Sequence, residues 1–474
     1  MQLTRRAFAA GAISVAALGR ARAADVDVAI VGAGAAGLAA AKRVAAAGRT
    51  FVVLEARSRI GGRAFTDASL GVPFDAGAEY IHWGERNPWK RIAEDLGVPI
   101  DDQERPGNFA AFRAGKPVPE AERARRRAAF GAITRSISAV GEGDRSFADL
   151  VRGGAPELVD AAGGITRMAL GEEPDTVSVR DYDQLWSGDD YVVPSGYGAL
   201  VARFGAAVPV RLDNAVTRIA WGGRTVELDT AAGTVAAATA IVTVPIGVLK
   251  AGSLRFVPDL PPPAEAALAG LHMGALTKIA LRLDRARLGT VPATDYFDLG
   301  PDGTTVAFEF FPHERDLCLA ALGGDGGRAA CAMGEAGAVA FATDRLASML
   351  GGRVRDAITG GRLAGWWTDP HALGSYSIVD PGHVGAREAL RIPVGDRVFI
   401  AGEATAGGGA MTVGGAYLEG ERAADAALRL VDHQAFTTVG DAALTAPGAS
   451  SGEPRRVDLP CKSTSSPEPC TRRP

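Results

Sequence analysis

The sequence predicts an α/β fold made of two interleaved parts, and three observations predict it. The first is a strand, "VDVAIV" (Val26 to Val31), running through "GAGAAG" (Gly32 to Gly37) into an alanine-rich helix that reaches about Ala47; Gly48 stops it and "TFVVLE" (Thr50 to Glu55) is the next strand. This is a βαβ unit with G-x-G-x-x-G at its first turn, the opening of a Rossmann-type parallel sheet. The second is length: 474 residues exceed one small core, so two domains are expected. The third lies far along the chain in "TKIALRLD" (Thr277 to Asp284). Thr277, Ile279, Leu281 and Leu283 share one face, and Lys278, Ala280, Arg282 and Asp284 the other, which is the period of a strand.

At the N-terminus, "TRRAF" (Thr4 to Phe8) precedes a short apolar run ending at Leu18 and then "ARA" (Ala21 to Ala23). Twin arginines, a short apolar stretch and an A-x-A site read as a Tat export signal cleaved after Ala23, giving a periplasmic or secreted protein. The run is too short to span a bilayer, and no integral membrane contact is expected. Hydrophobic content of 47%, charged content of 22% and a net charge of −4 fit a globular chain and argue against a nucleic-acid partner. Four cysteines, Cys318, Cys331, Cys461 and Cys470, show no metal-ligand spacing with histidine. Cys461 and Cys470 could pair in an oxidising compartment; the sequence leaves this open. The Pro- and Ser-rich end predicts a disordered tail over 436–474.

In the first turn, Gly32 permits the bend, Gly34 lets a pyrophosphate approach, and Gly37 lets helix and strand pack closely. The helix N-terminus offers N–H groups to phosphate. Glu55 ends the second strand where a ribose-binding acid is expected. Lys278 poses a different question. Only six of the 51 basic residues are lysines, so an exposed cation in this chain is nearly always arginine. The period-2 pattern allows a solvated face for Lys278, or a face bordering a site.

After Glu55 comes "ARSRIGGRAFT", in which Arg59, Ile60, Gly61, Gly62 and Arg63 form a run foreign to nicotinamide sites. It resembles the second motif of the FAD-dependent amine oxidase family. "FDAGAEYIHWGERNPWKRIAEDLGV" (Phe74 to Val98), "YVVPSGYGALV" (Tyr191 to Val201), "AIVTVPIGVLKAG" (Ala240 to Gly252), "WWTDPHALGSYS" (Trp366 to Ser377) and "RVFIAGEATAGGGAMTVGGAYLEGERAA" (Arg397 to Ala424) resemble further family motifs. The resemblance implies noncovalent FAD, because Ser375 stands where covalent members carry a cysteine. It implies cofactor contacts from Gly32, Ala33, Gly34, Ala36 and Gly37, and from Glu55, Ala56, Arg57, Gly62 and Arg63. Further contacts are implied from Gly77, Ala78, Glu79 and Tyr80, from Val216, Trp367 and Tyr376, and from Gly402, Glu403, Thr412 and Val413.

The resemblance also implies the chemistry. A neutral amine gives a hydride to FAD N5, the imine is hydrolysed, and O2 reoxidises the flavin to yield H2O2. Lys278 would hold a water near the flavin. Tyr376 would be one wall of an aromatic cage, with Thr412 at the opposite position. Glu79 stands where some polyamine oxidases have histidine, and with Lys278, Tyr376 and Thr412 it completes the candidate catalytic set; His82 reads as structural. Polyamines or other primary or secondary amines are favoured substrates, with an L-amino-acid oxidase of the same fold as the alternative. Motif order divides the chain into an FAD domain over 24–85, 196–255 and 390–435, and a substrate domain over 86–195 and 256–389. Within the latter, Pro119 to Gly141 predicts a helix whose Arg123, Arg125, Arg126 and Arg127 form a solvated face.

Overall fold

The computed structural model describes residues 24–444 apart from 103–108, 142, 292–294 and 301–302. Its first sheet has eight strands. Val26–Val31 lies between Phe51–Leu54 and Gly233–Val242, parallel to both, and Val398–Ile400 runs parallel along the second half of Gly233–Val242. The first half of that long strand turns back antiparallel onto Val226–Thr230, which pairs with Val216–Ala220. Alternate side chains feed two cores. Val28, Ile30 and Val53 pack under the helix Ala35–Ala46, while Ala29, Val31 and Leu54 pack on the other face with Ala240 and Val242. Four parallel strands thus end side by side at Val31, Leu54, Val242 and Ile400, the edge at which such sheets bind ligands.

The second sheet has seven strands. Thr277–Leu283 sits inside it, antiparallel to Leu317–Leu322 on one side and Ile358–Ala364 on the other. Ile279, Leu281 and Leu283 pack on Ala338, Ala342 and Leu346 of the helix Gly334–Leu350. The opposite face is not open to solvent. Ala280 is fully buried against Phe74, Ala76, Leu317, Leu319 and Ala364, so the face carrying Lys278 is roofed by the Phe74–Ala76 segment.

The first sheet draws its strands from 26–54, 210–257 and 398–400, and the second from 109–117 and 277–364. Both lie within one compact unit that ends at Val431. The expected arginine-rich helix spans Glu120–Ser138. Its arginines are paired as well as solvated: Arg123 and Arg127 with Glu120, Arg125 with Glu157, and Arg126 with Asp160. Cys318 and Cys331 are buried free thiols. One boundary shifts. The helix Val413–Leu444 continues past residue 435, because the Pro- and Ser-rich composition begins only at Thr445. Residues 445–474, with Cys461 and Cys470, and residues 1–23, with the export signal, lie outside the described residues. Among the described residues no helix is long and apolar enough to cross a membrane, and no acidic, His or Cys cluster could hold a metal.

Candidate active site

A cavity of about 860 Å³ opens at the carboxyl edge of the first sheet. Gly32, at φ +100°, makes the turn, and a Cβ there would meet Thr243 Oγ1 at 2.7 Å. A Cβ on Gly37 would fall 1.9 Å from Gly32 O. Gly37 and the buried Ala33 therefore do not line the cavity, contrary to their expected cofactor contact; Gly37 acts in packing. Gly34 does face it, where a Cβ would find only Gly62 Cα, at 4.0 Å. The two glycine loops are joined by Gly61 N–H donating to Ala33 O at 2.9 Å. The helix Ala35–Ala46 starts without a side-chain cap, leaving its first N–H groups for a ligand.

Glu55, 6% exposed, accepts from Ala33 N at 2.7 Å and Arg57 N at 2.9 Å while bordering the cavity with Ala36 and Ala56. A diphosphate between facing glycine loops at an uncapped helix, with an acid for a ribose at the next strand end, fits this cradle. Gly77, Ala78, Tyr80, Val216, Gly402 and Val413 also line the cavity. Arg57 lines it too but forks onto Asp369 at 2.8 and 2.6 Å.

Trp367 is a correction. Trp366, 8% exposed, lines the cavity and donates its indole N–H to Ala76 O at 2.8 Å. Trp367 lies 5.3 Å from the Arg328 guanidinium and faces a second cavity. Both rings lie in the turn after the Ile358–Ala364 strand, where Thr368 N donates to Gly365 O at 3.2 Å, and the turn sends neighbouring side chains to different cavities.

Glu403 sits deeper. Its carboxylate accepts from Ser377 N, Ser377 Oγ at 2.6 Å, Met411 N and Arg63 Nη1 at 3.0 Å. Burial works to raise its pKa, but Arg63 and Arg387 overcome that and hold it below the ordinary value. Arg63, which the resemblance placed among the cofactor contacts, spends one amino group on Glu403 and Ser375 O. Arg387, 1% exposed, forks onto Asp181 and donates to Ser377 Oγ at 2.6 Å. The sequence offered no signal for Arg387 or Asp181. Thr243 lies within the Ala240 to Gly252 motif, one residue past the end of its strand.

On the substrate side, Lys278 is 12% exposed and not on a solvated face. Its ammonium donates to Asp75 O at 3.0 Å, Gly77 O at 3.0 Å and Glu79 Oε2 at 2.7 Å. Tyr376 borders the cavity and donates its hydroxyl to Ala169 O at 2.9 Å; burial first, then the Glu403 charge, pushes its phenol up. Thr412 caps the long helix: its Oγ1 accepts from Gly415 N at 2.9 Å and donates to Gly409 O at 2.7 Å. It thus presents its remaining surface to the cavity with its hydroxyl already engaged. Ser375 Oγ accepts from Leu276 N at 3.0 Å. His82 pairs with Asp190 at 3.0 Å, and both border the cavity.

The second cavity, about 540 Å³, holds an ionic cluster. Arg328 forks onto Glu172 at 2.8 and 2.9 Å, and His272 lies between Glu172 (3.3 Å) and Asp380 (2.7 Å).

Residues 35–152 and 180–428 match the family described as flavin containing amine oxidoreductase. Polyamine oxidase 3 of Oryza sativa subsp. japonica is 29% identical over 437 residues, which cover 84% of this chain and 88% of that protein. Lysine-specific histone demethylase 2 of Homo sapiens is 26% identical over 434 residues, with 84% and 53% covered. A solved wild-type putrescine oxidase bound to putrescine shares the fold at a TM-score of 0.70 and 20% identity, over 84% of this chain and 98% of that one. Cyclohexylamine oxidase from Brevibacterium oxydans does so at 0.70 and 22%, over 86% and 99%. The chain belongs to the flavin-containing amine oxidoreductases, and its cofactor is FAD, held without a covalent bond.

Proposed function

We propose that the protein oxidises linear, polycationic amines with O2, releasing H2O2. One observation carries the choice of amines over amino acids. Among the described residues, the three permanent cations bordering the cavity, Arg57, Arg63 and Lys278, are each already paired with a carboxylate: Asp369, Glu403 and Glu79. An α-carboxylate would have to compete with the carboxylate already held by each of them, whereas an ammonium finds the Tyr376 ring and can share Glu79 with Lys278. Bound FAD supplies the hydride acceptor for the amine α-carbon. Tyr376 orients the amine, Glu79 draws a distal ammonium, and Lys278 holds a proton donor at the cavity wall. The polyamine and putrescine oxidases among the similar proteins support this reading.

Peroxide release from spermidine, putrescine, phenethylamine and L-amino acids tests it. Polyamines should lead. Rates should rise from about pH 7 toward pH 9, because alkylamines lose their proton near pH 10 and only the neutral amine donates hydride. A preference for phenethylamine would defeat the polyamine choice, and turnover of amino acids alone would establish the other oxidase. Lys278→Met should retain FAD and lose about 10²-fold in turnover; unchanged turnover would remove Lys278 from the chemistry.

We also infer export of the folded protein through the Tat route, supported by "TRRAF" and "ARA". Arg5→Lys with Arg6→Lys should keep the precursor in the cytoplasm. Undiminished mature protein in the periplasm would refute it.

A further inference from the structure

We propose that the Glu79 carboxylate is a shared seat. Lys278 holds it in the resting protein, and an ammonium of the substrate displaces Lys278 on binding, returning one Lys278 N–H to the cavity. This rests on the polycationic-amine reading and adds a coupling between recognition and the lysine.

The donors of Lys278 are fully spent. An ammonium has three N–H groups and no acceptor, and all three are taken by Asp75 O, Gly77 O and Glu79 Oε2. As long as Glu79 stays, Lys278 has no N–H to offer a water or a ligand.

The three partners differ in mobility. Asp75 is anchored, because its carboxylate accepts from Thr66 Oγ1 at 2.6 Å, Tyr197 N at 2.8 Å and Gly198 N at 3.1 Å. Ala76 O is fastened by the Trp366 indole. Gly77 is wedged so tightly that a Cβ would fall 1.7 Å from Arg63 O. Lys278 itself is fixed in the sheet opposite Ala321 and Ala364. Of the three acceptors, only Glu79 Oε2 belongs to a side chain, and that side chain borders the cavity.

Charge makes the exchange feasible. Lys278 and Glu79 are 12% and 14% exposed, so neither charge is well solvated and Glu79 needs a cation throughout. A substrate ammonium replaces one cation by another at the same oxygen. The Arg315 charge also reaches Glu79.

Competition has a measurable sign. Calorimetry on the FAD-loaded protein can use hexamethonium, a bis-quaternary dication with no nitrogen lone pair and therefore not oxidisable as an amine. If Lys278 competes for Glu79, Lys278→Met should tighten hexamethonium binding about tenfold, since the competent state is no longer a minor one. Glu79→Gln should weaken binding in both backgrounds. Unchanged or weaker binding by Lys278→Met overturns the proposal.

Turnover provides a second arm. Glu79→Ala frees Lys278 permanently, so kcat for a monoamine should rise several-fold toward the wild-type diamine value, and Glu79→Ala with Lys278→Met should lose that gain. A monoamine kcat that stays level or falls in Glu79→Ala also overturns the proposal. If the wild type turns over no polyamine, the substrate reading fails, while the calorimetric competition is decided independently.

Discussion

Replacing Arg387 with methionine is expected to destabilise the protein by about 3–5 kcal/mol, the usual cost of breaking one side of a buried charge network. Arg387 is 1% exposed. Its Nε and Nη2 fork onto Asp181, its Nη1 reaches Ser377 Oγ and Ala404 O, and its Nη2 also reaches Ser377 O. Ser377 Oγ passes this order on, donating to Glu403 Oε2 at 2.6 Å. Methionine fills a similar volume, so little cavity is made. The loss comes from Asp181 left without its fork and Glu403 left with Arg63 as its remaining cation. Because Glu403 borders the cofactor cavity, FAD should also be retained less well. Arg387→Lys keeps the charge but not the planar fork, and should recover only part of the loss. Urea unfolding of the three proteins, with flavin retention on gel filtration, measures both effects. A loss below about 1 kcal/mol in Arg387→Met would reduce the network to the value of a surface pair.

The second large effect is alkaline destabilisation through His272. Burial would lower its pKa, but Asp380 first and Glu172 next push it up to about 9 from 6.5. Asp380 should carry more of this: its oxygen is 2.7 Å from Nδ1, whereas Nε2 and Glu172 are 3.3 Å apart without good hydrogen-bond geometry. A folded-state pKa above the unfolded one means that folding favours the proton. The stabilisation is therefore complete below about pH 6.5 and lost as the pH rises through about 9. From that shift it amounts to roughly 3 kcal/mol.

Glu172 reports the same contact from the other side. Burial would raise its pKa, and His272 and Arg328 bring it down to about 2, so its share is lost only in acid. The two shifts describe overlapping interactions and are not summed. Urea unfolding at pH 6, 7.5, 9 and 10 should show wild type well above His272→Gln at pH 6, with the gap closing by pH 10. A gap constant across that range would show that folding does not raise the His272 pKa. Amine turnover should rise over the same interval, so the alkaline limit of activity should be set by the protein's stability.

The first turn was legible because its causes are local. Gly37 is required by Gly32 O, five residues away, which is the packing role read from spacing; the close approach of Thr243 to Gly32 comes from a distant segment and was not legible. Glu55 follows from the length of one helix and one strand. Elsewhere the motif residues converge on one cavity, with Trp367 lining another. In the pair Trp366 and Trp367, composition cannot tell which ring turns inward, because that depends on the conformation of the turn that follows the Ile358–Ala364 strand.

What the sequence alone determined is the set of backbone-driven features: the βαβ unit, the strand around Lys278, the glycine loops and the family to which they belong. Each arises from sterics and periodicity over stretches of a few to some tens of residues. Only the tertiary structure decided what the charged side chains do. Lys278 meets Glu79 from 199 residues away, Arg387 meets Asp181 from 206, and Arg63 meets Glu403 from 340. The strand pattern showed that Lys278 leaves the core-facing row. It could not show that Phe74–Ala76 roofs the other face, because an ionic partner is chosen by the packing of separate segments, and no local periodicity records that choice.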